Sequence, residues 1–148
     1  MPEKKTIERA RKDKRAGKSP STQAGEFVRE EMEHIREGKH GARSAKQAIA
    51  IGLSKARRAG VKLRPPKNGK TSARARRDIA KGRNGEGKRP SAKRSRATLK
   101  ALRREGHSAA SHQALSRQAH SVARRKTATQ RSAAAKKAAR TRARERNR

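Results

Sequence analysis

Few residues in this 148-residue chain can do chemistry, and their spacing argues against most reactions. There is no Cys, which removes thiol nucleophiles, thiolate metal sites and disulfides together. The five His residues are His34, His40, His107, His112 and His120. Glu30 and His34 stand one helical turn apart and could share a cation, but the H-E-x-x-H pair is absent and Glu–His neighbours are common on charged helices. His112 and His120 fall on one face of a helix, where solvent or phosphate contact is the expectation.

Residues 82–89, GRNGEGKR, have the glycine and lysine spacing of a phosphate-binding loop. The resemblance fails where the chemistry needs it. Arg89 stands in place of the Mg²⁺-binding Ser or Thr, no apolar strand precedes the loop, and Pro90 disrupts the helix start that would aim N–H groups at phosphate. The stretch reads as a Gly-rich linker. No Ser lies in a nucleophile elbow, and acid–base pairs need a dry pocket to tune them. Val, Ile, Leu and Phe together number only 14, too few to enclose one. No enzymatic activity, cofactor or metal is therefore expected.

Positive charge is what the chain has in quantity. Of 45 Lys and Arg residues, 35 lie in residues 39–148, opposed there only by Asp78, Glu86, Glu105 and Glu145, so this region carries +31 of the total +33. The first 38 residues hold ten basic and eight acidic side chains. A field of this kind calls for a polyanion. Phe27 is the sole aromatic, so bases have almost nothing to stack on, and single-strand platforms and sequence-reading RNA sheets are excluded. Backbone recognition remains. Lys88-Arg89-Pro90 hints at a minor-groove hook but lacks the Arg-Gly-Arg core of that motif.

The elements that would position these charges are expected to be mainly α: a small αα-hairpin, then extended basic helices and largely disordered Ala/Lys/Arg-rich segments. Residues 1–18 form a charged N-terminal arm, read as a solvated or frayed helix. The hairpin covers 19–61. Ser19 caps its first helix with Pro20 at the opening position, and Gly38 stops it. Phe27, Val28, Met32 and Ile35 make one apolar stripe, with Glu26, Glu30, Glu31, Glu33 and Glu37 on the rest. Ser44 caps a second helix over 45–59, closed by Gly60, whose face is Ala45, Ala48, Ile49, Gly52, Leu53 and Ala56.

Residues 62–90 are a Pro- and Gly-containing basic linker with a short helix near 72–81. Residues 91–126 are a basic helical segment, with Ser91 as a cap, Gly106 as a stop and Ser108 as a restart. Residues 127–148 are an Ala/Arg/Lys-rich tail, in which like charges one turn apart oppose helix formation until phosphate neutralises them.

Residues 41–61, GARSAKQAIAIGLSKARRAGV, and 97–126, ATLKALRREGHSAASHQALSRQAHSVARRK, resemble a family of small, highly basic bacterial proteins of uncharacterised function. The tail is similar in composition to linker histones and their bacterial analogues. The resemblance implies a bacterial cytosolic protein and carries over no site residue.

The expected function is DNA binding without sequence preference, of the nucleoid-associated type, in the cytoplasm. The expected contacts are Arg57, Arg58, Arg74, Arg76, Arg77, Arg94, Arg96, Arg103, Arg104, Arg124, Arg125, Lys126, Lys136, Lys137 and Arg140. RNA or ribosome association is one alternative. An adaptor that binds a protein partner, or a second copy, through Phe27, Val28, Met32 and Ile35 is another. No run is apolar enough to span a membrane, and the basic helices lack the apolar face that would insert into lipid.

Overall fold

The computed structural model describes residues 2–65, 70–83 and 91–147. The Gly-rich stretch 84–90, residues 66–69 and the Arg74 side chain lie outside the described residues, and with them the phosphate-loop and minor-groove readings. Among the described residues seven α-helices follow in chain order: α1 Lys4–Arg15, α2 Pro20–Arg36, α3 Ala45–Arg58, α4 Lys70–Arg83, α5 Ala92–Arg103, α6 His112–Arg124 and α7 Ala128–Arg146, with a 3₁₀ turn at Ser108–Ala110 before α6. The chain is mainly α, with no strand among the described residues.

The helix ends follow their local chemistry. Ser19, Ser44, Ser91 and Ser111 each accept from a backbone N–H in the first turn of α2, α3, α5 and α6, filling an otherwise orphaned donor. Gly38 and Gly60 close α2 and α3 at φ 73° and 87°, a region that side chains with a Cβ rarely adopt.

The α2–α3 hairpin forms the centre of the structure, and α3 presents the expected small-residue face: Ala45, Ala48, Gly52 and Ala56 are buried. At Gly52 the two backbones nearly touch. A Cβ there would lie 2.7 Å from Val28 Cα and 3.0 Å from the Phe27 carbonyl oxygen. Gly52→Ala therefore has opposing effects: helix propensity gains about 1 kcal/mol, while forcing the helices apart costs about 1–3 kcal/mol. The close contact should dominate, because the atoms that must yield are backbone. Thermal melting followed by circular dichroism should show Tm falling by a few degrees, whereas a rise would mean that the close approach is absent.

The first 18 residues are not a solvated arm. Helix α1 packs along α2 and buries Thr6 and Ala10, with Ile7 half-covered beside Phe27, Ala24, Ala56 and Val61. The reason is electrostatic as well as apolar: Arg9 pairs with Glu26 at 3.8 Å, and the Glu3 backbone N–H donates to Glu30 Oε2 at 3.1 Å. Covering α2 on this side also sinks Glu30, while Glu31 is buried facing Lys55 and His40; the helical pattern assigns both to the polar face of α2.

A second correction concerns the apolar stripe. Phe27, Met32 and Ile35 are 1%, 5% and 0% exposed, and Val28 packs against them. The stripe is consumed inside the chain, by α1, by α3 and by a segment far along the sequence. Ala109 and Ala110, in the 3₁₀ turn, join Met32, Ile35, Ala42 and Ala48 in one cluster, with Leu115 of α6 against it. Hydrogen bonds fasten this dock: the backbone Gly41 N–H donates to Leu102 O at 2.9 Å, the Ala42 N–H to Gly106 O at 3.0 Å, and the Arg36 side-chain Nε to Ala110 O at 3.0 Å. Gly41 has no room for a side chain, since a Cβ would overlap the Glu105 carbonyl and lie 2.7 Å from Gly106 O. The basic region thus has something to pack, because Ala lets a turn approach a groove that larger side chains could not enter.

Helix α4 docks on α3 through Ala75, and Asp78 accepts from the Ser54 hydroxyl at 2.5 Å. The tail, expected to order on binding, is the 19-residue helix α7. Thr127 and Gln130 form a reciprocal capping box at its start, and the helix buries no residue.

Candidate nucleic-acid interface

Charge is partitioned by pairing. On α1–α4 nearly every acidic side chain has a cation: Asp13 with Lys18 at 3.1 Å, Glu26 with Arg29 at 2.9 Å, Glu37 with Lys39 at 2.9 Å, and Glu31 with Lys55 at 2.7 Å. Past Asp78, the only acceptor holding an ion pair among the described residues is Glu105, with Arg43 at 3.7 Å. No described cation of α5, α6 or α7 has a carboxylate within 4.0 Å.

The expected contact residues divide accordingly. Arg76 and Arg77 on α4, Arg94, Arg96 and Arg103 on α5, Arg104 at its end, Arg124 on α6, Arg125 and Lys126 after it, and Lys136, Lys137 and Arg140 on α7 are all exposed. Arg96, Leu99, Lys100, Arg103 and Arg104 line one shallow depression along α5. Arg58 is engaged at home: its Nε lies 3.3 Å from the Ser54 carbonyl oxygen and 3.9 Å from Asp78. Arg57 is half-buried, and its Nε is fully covered without a hydrogen-bond partner. Arg58 therefore acts first in the α3–α4 dock, and burial withholds the Arg57 Nε from phosphate.

Folding also assembles a basic groove that the sequence reading missed. Arg43, Ser44 and Lys46, at the start of α3, line it together with Ser108, Ala109, Ala114, Arg117 and Gln118. The usable signal was the echo between SAKQAI at Ser44 and SHQAL at Ser111, two capped helix starts of similar pattern. Such starts carry the positive end of the helix dipole.

On the acidic side, the Glu30 carboxyl feels opposing influences. Burial pushes it up, but the Thr6 hydroxyl, the Glu3 backbone N–H and Lys55 together hold it below its ordinary value of 4.5. Lys39, paired with Glu37 and Glu3, is raised, and Glu3 is lowered by His34 and Lys39. Because Glu30 binds its proton less readily folded than unfolded, its contribution is complete above pH 4.5 and is lost as pH falls through the lower folded value. Glu30→Gln should cost about 1 kcal/mol or more at neutral pH. The gap to the parent chain should close in acid melts, and a gap constant with pH would show that the carboxylate charge is not what is recognised.

A model for a family of unknown function (DUF6496) matches residues 4–68, the span from α1 to just beyond α3. The cation-rich α4–α7 lie outside the matched span. No curated protein and no solved structure matches the chain.

Proposed function

We propose that the chain binds nucleic acid through phosphate contacts without reading sequence, with duplex DNA as the preferred polyanion, in the manner of a nucleoid-associated protein. The observation that carries this reading is that no described cation of α5–α7 has a carboxylate within 4.0 Å, whereas Arg29, Lys39, Lys55 and Arg58 of the hairpin are each paired with one. Unpaired Lys and Arg condense onto phosphate and release counterions, which supplies affinity without specificity. Phe27, the one aromatic, is 1% exposed, so base stacking contributes nothing and single strands gain no advantage. Its burial with Met32 and Ile35 also removes the surface that an adaptor reading requires.

RNA association is the competing outcome of the test. A labelled duplex bound to the full chain is displaced by unlabelled duplex DNA or by structured RNA at equal phosphate concentration. DNA competing at least as well as RNA is the expected result. RNA displacing the probe about tenfold better would move the assignment to an RNA-associated protein, and absence of binding to both at about 100 mM salt would end the nucleic-acid reading.

A further inference from the structure

We propose that Glu31, His34 and His40 form a binding site for a single divalent transition-metal ion, Zn²⁺ in chemical preference. One ligand atom from each lies within 4.8 Å of the others, and the three are buried or nearly so. Glu31 is fully buried, and neither of its carboxylate oxygens has a properly directed hydrogen bond. Oε2 lies 2.7 Å from Lys55 Nζ, and Oε1 points at His40 Nε2, 3.4 Å away.

The hydrogen bonds around the two imidazoles leave nitrogens for a cation. His40 Nδ1 lies 3.1 Å from the Gly41 carbonyl oxygen. A carbonyl only accepts, so Nδ1 holds the proton and the lone pair of the neutral ring is on Nε2, facing the Glu31 carboxylate. Two lone-pair groups facing each other in a buried site repel unless something positive stands between them. The separation of Oε1 and Nε2 is 3.4 Å. That is the edge of a tetrahedron with metal–ligand bonds of about 2.0–2.1 Å. His34 Nε2 lies 2.9 Å from Glu3 Oε1, so a carboxylate holds one nitrogen of this ring and leaves Nδ1 to ligate, the usual outer support of a metal-bound His.

Nitrogen donors select Zn²⁺ and its neighbours over Mg²⁺ and Ca²⁺, which prefer oxygen alone. Lys55 is no obstacle, because it also reaches Glu30 at 3.3 Å and needs only Oε2 of Glu31. The ion would tie α2, which carries Glu31 and His34, to the loop before α3, which carries His40. That loop continues into Gly41 and Ala42, whose N–H groups hold the 102–106 segment. The site therefore stiffens the dock between the hairpin and the basic helices and does no catalysis.

The test uses the full chain after chelator treatment, titrated with ZnCl₂ and, as a control, MgCl₂. Calorimetry should give one Zn²⁺ per chain, and Tm should rise by about 5 °C or more at Zn²⁺ a hundredfold above Kd. Magnesium should do neither. In the parent chain, imidazole NMR signals of His34 and His40 should shift together at one equivalent, ahead of those of His107, His112 and His120. His40→Gln and His34→Gln should each abolish the Tm rise, whereas a chain with His107→Gln, His112→Gln and His120→Gln should retain it. Zinc that first shifts only the three later histidines, or that binds no tighter than magnesium, overturns the site, and the NMR readout decides even if a substitution unfolds the chain.

Discussion

Removing residues 127–148 should weaken binding to a duplex of about 30 base pairs by at least about a hundredfold near 100 mM salt and flatten its salt dependence. Helix α7 holds Arg131, Lys136, Lys137, Arg140, Arg142, Arg144 and Arg146 against Glu145 alone. At about 1.5 Å per residue its 19 residues extend about 28 Å, a length over which duplex DNA presents about 16 phosphates. The cations circle the axis, so no single face must be turned toward the partner. Each phosphate contact contributes about 0.9 to the slope of log K against log salt. Loss of the tail should then reduce that slope by about 4–6, and Lys136→Gln, Lys137→Gln and Arg140→Gln together by about 3. Fluorescence anisotropy from about 50 to 200 mM KCl reads both values. A truncated chain with an unchanged slope would place the grip elsewhere, with the groove at Arg43, Lys46 and Arg117 the next candidate.

The largest loss of folding stability is expected from Lys55→Met, about 3–5 kcal/mol. Lys55 Nζ is the shared counter-ion of two adjacent carboxylates, 3.3 Å from Glu30 and 2.7 Å from Glu31, which are 3% and 0% exposed. Methionine fills similar volume but leaves buried negative charge uncompensated, and burying unpaired charge costs more than the pair itself contributes. Two outcomes separate this cause from loss of packing. Glu31→Gln in the same chain should restore part of the stability, and acid should narrow the difference by protonating Glu30, whose carboxyl Lys55 helps to hold below its ordinary value. Denaturant unfolding with a chelator present measures both, free of any metal effect. A Lys55→Met chain that melts with the parent would show that this cluster is solvated.

Legibility differed by kind of feature. Ser19, Ser44 and Ser91 were readable as caps, because a helix end is decided by residues within one turn of it, whereas the restart read at Ser108 falls on the 3₁₀ turn and Ser111 caps α6. The capping box of Thr127 and Gln130 carries the same signal and was passed over in favour of charge repulsion along the tail. The stripe of Phe27, Met32 and Ile35 was legible as apolar, but what covers it was not. Its partners include Ala109 and Ala110, whose small side chains carry little pattern of their own. Arg58 and Arg57 looked like phosphate contacts by type, while Ser54 and Asp78 engage the first and burial limits the second.

By itself the sequence determined the helical class, the helix ends and the surplus of positive charge after residue 38. Propensity and capping are local, and charge adds up regardless of fold. Only the tertiary structure decided which charges are spent internally, that α1 covers α2, and that His34 and His40 meet Glu31. Those outcomes depend on which faces approach across a loop, and that is settled by backbone closeness at Gly41 and Gly52 rather than by any pattern within one helix.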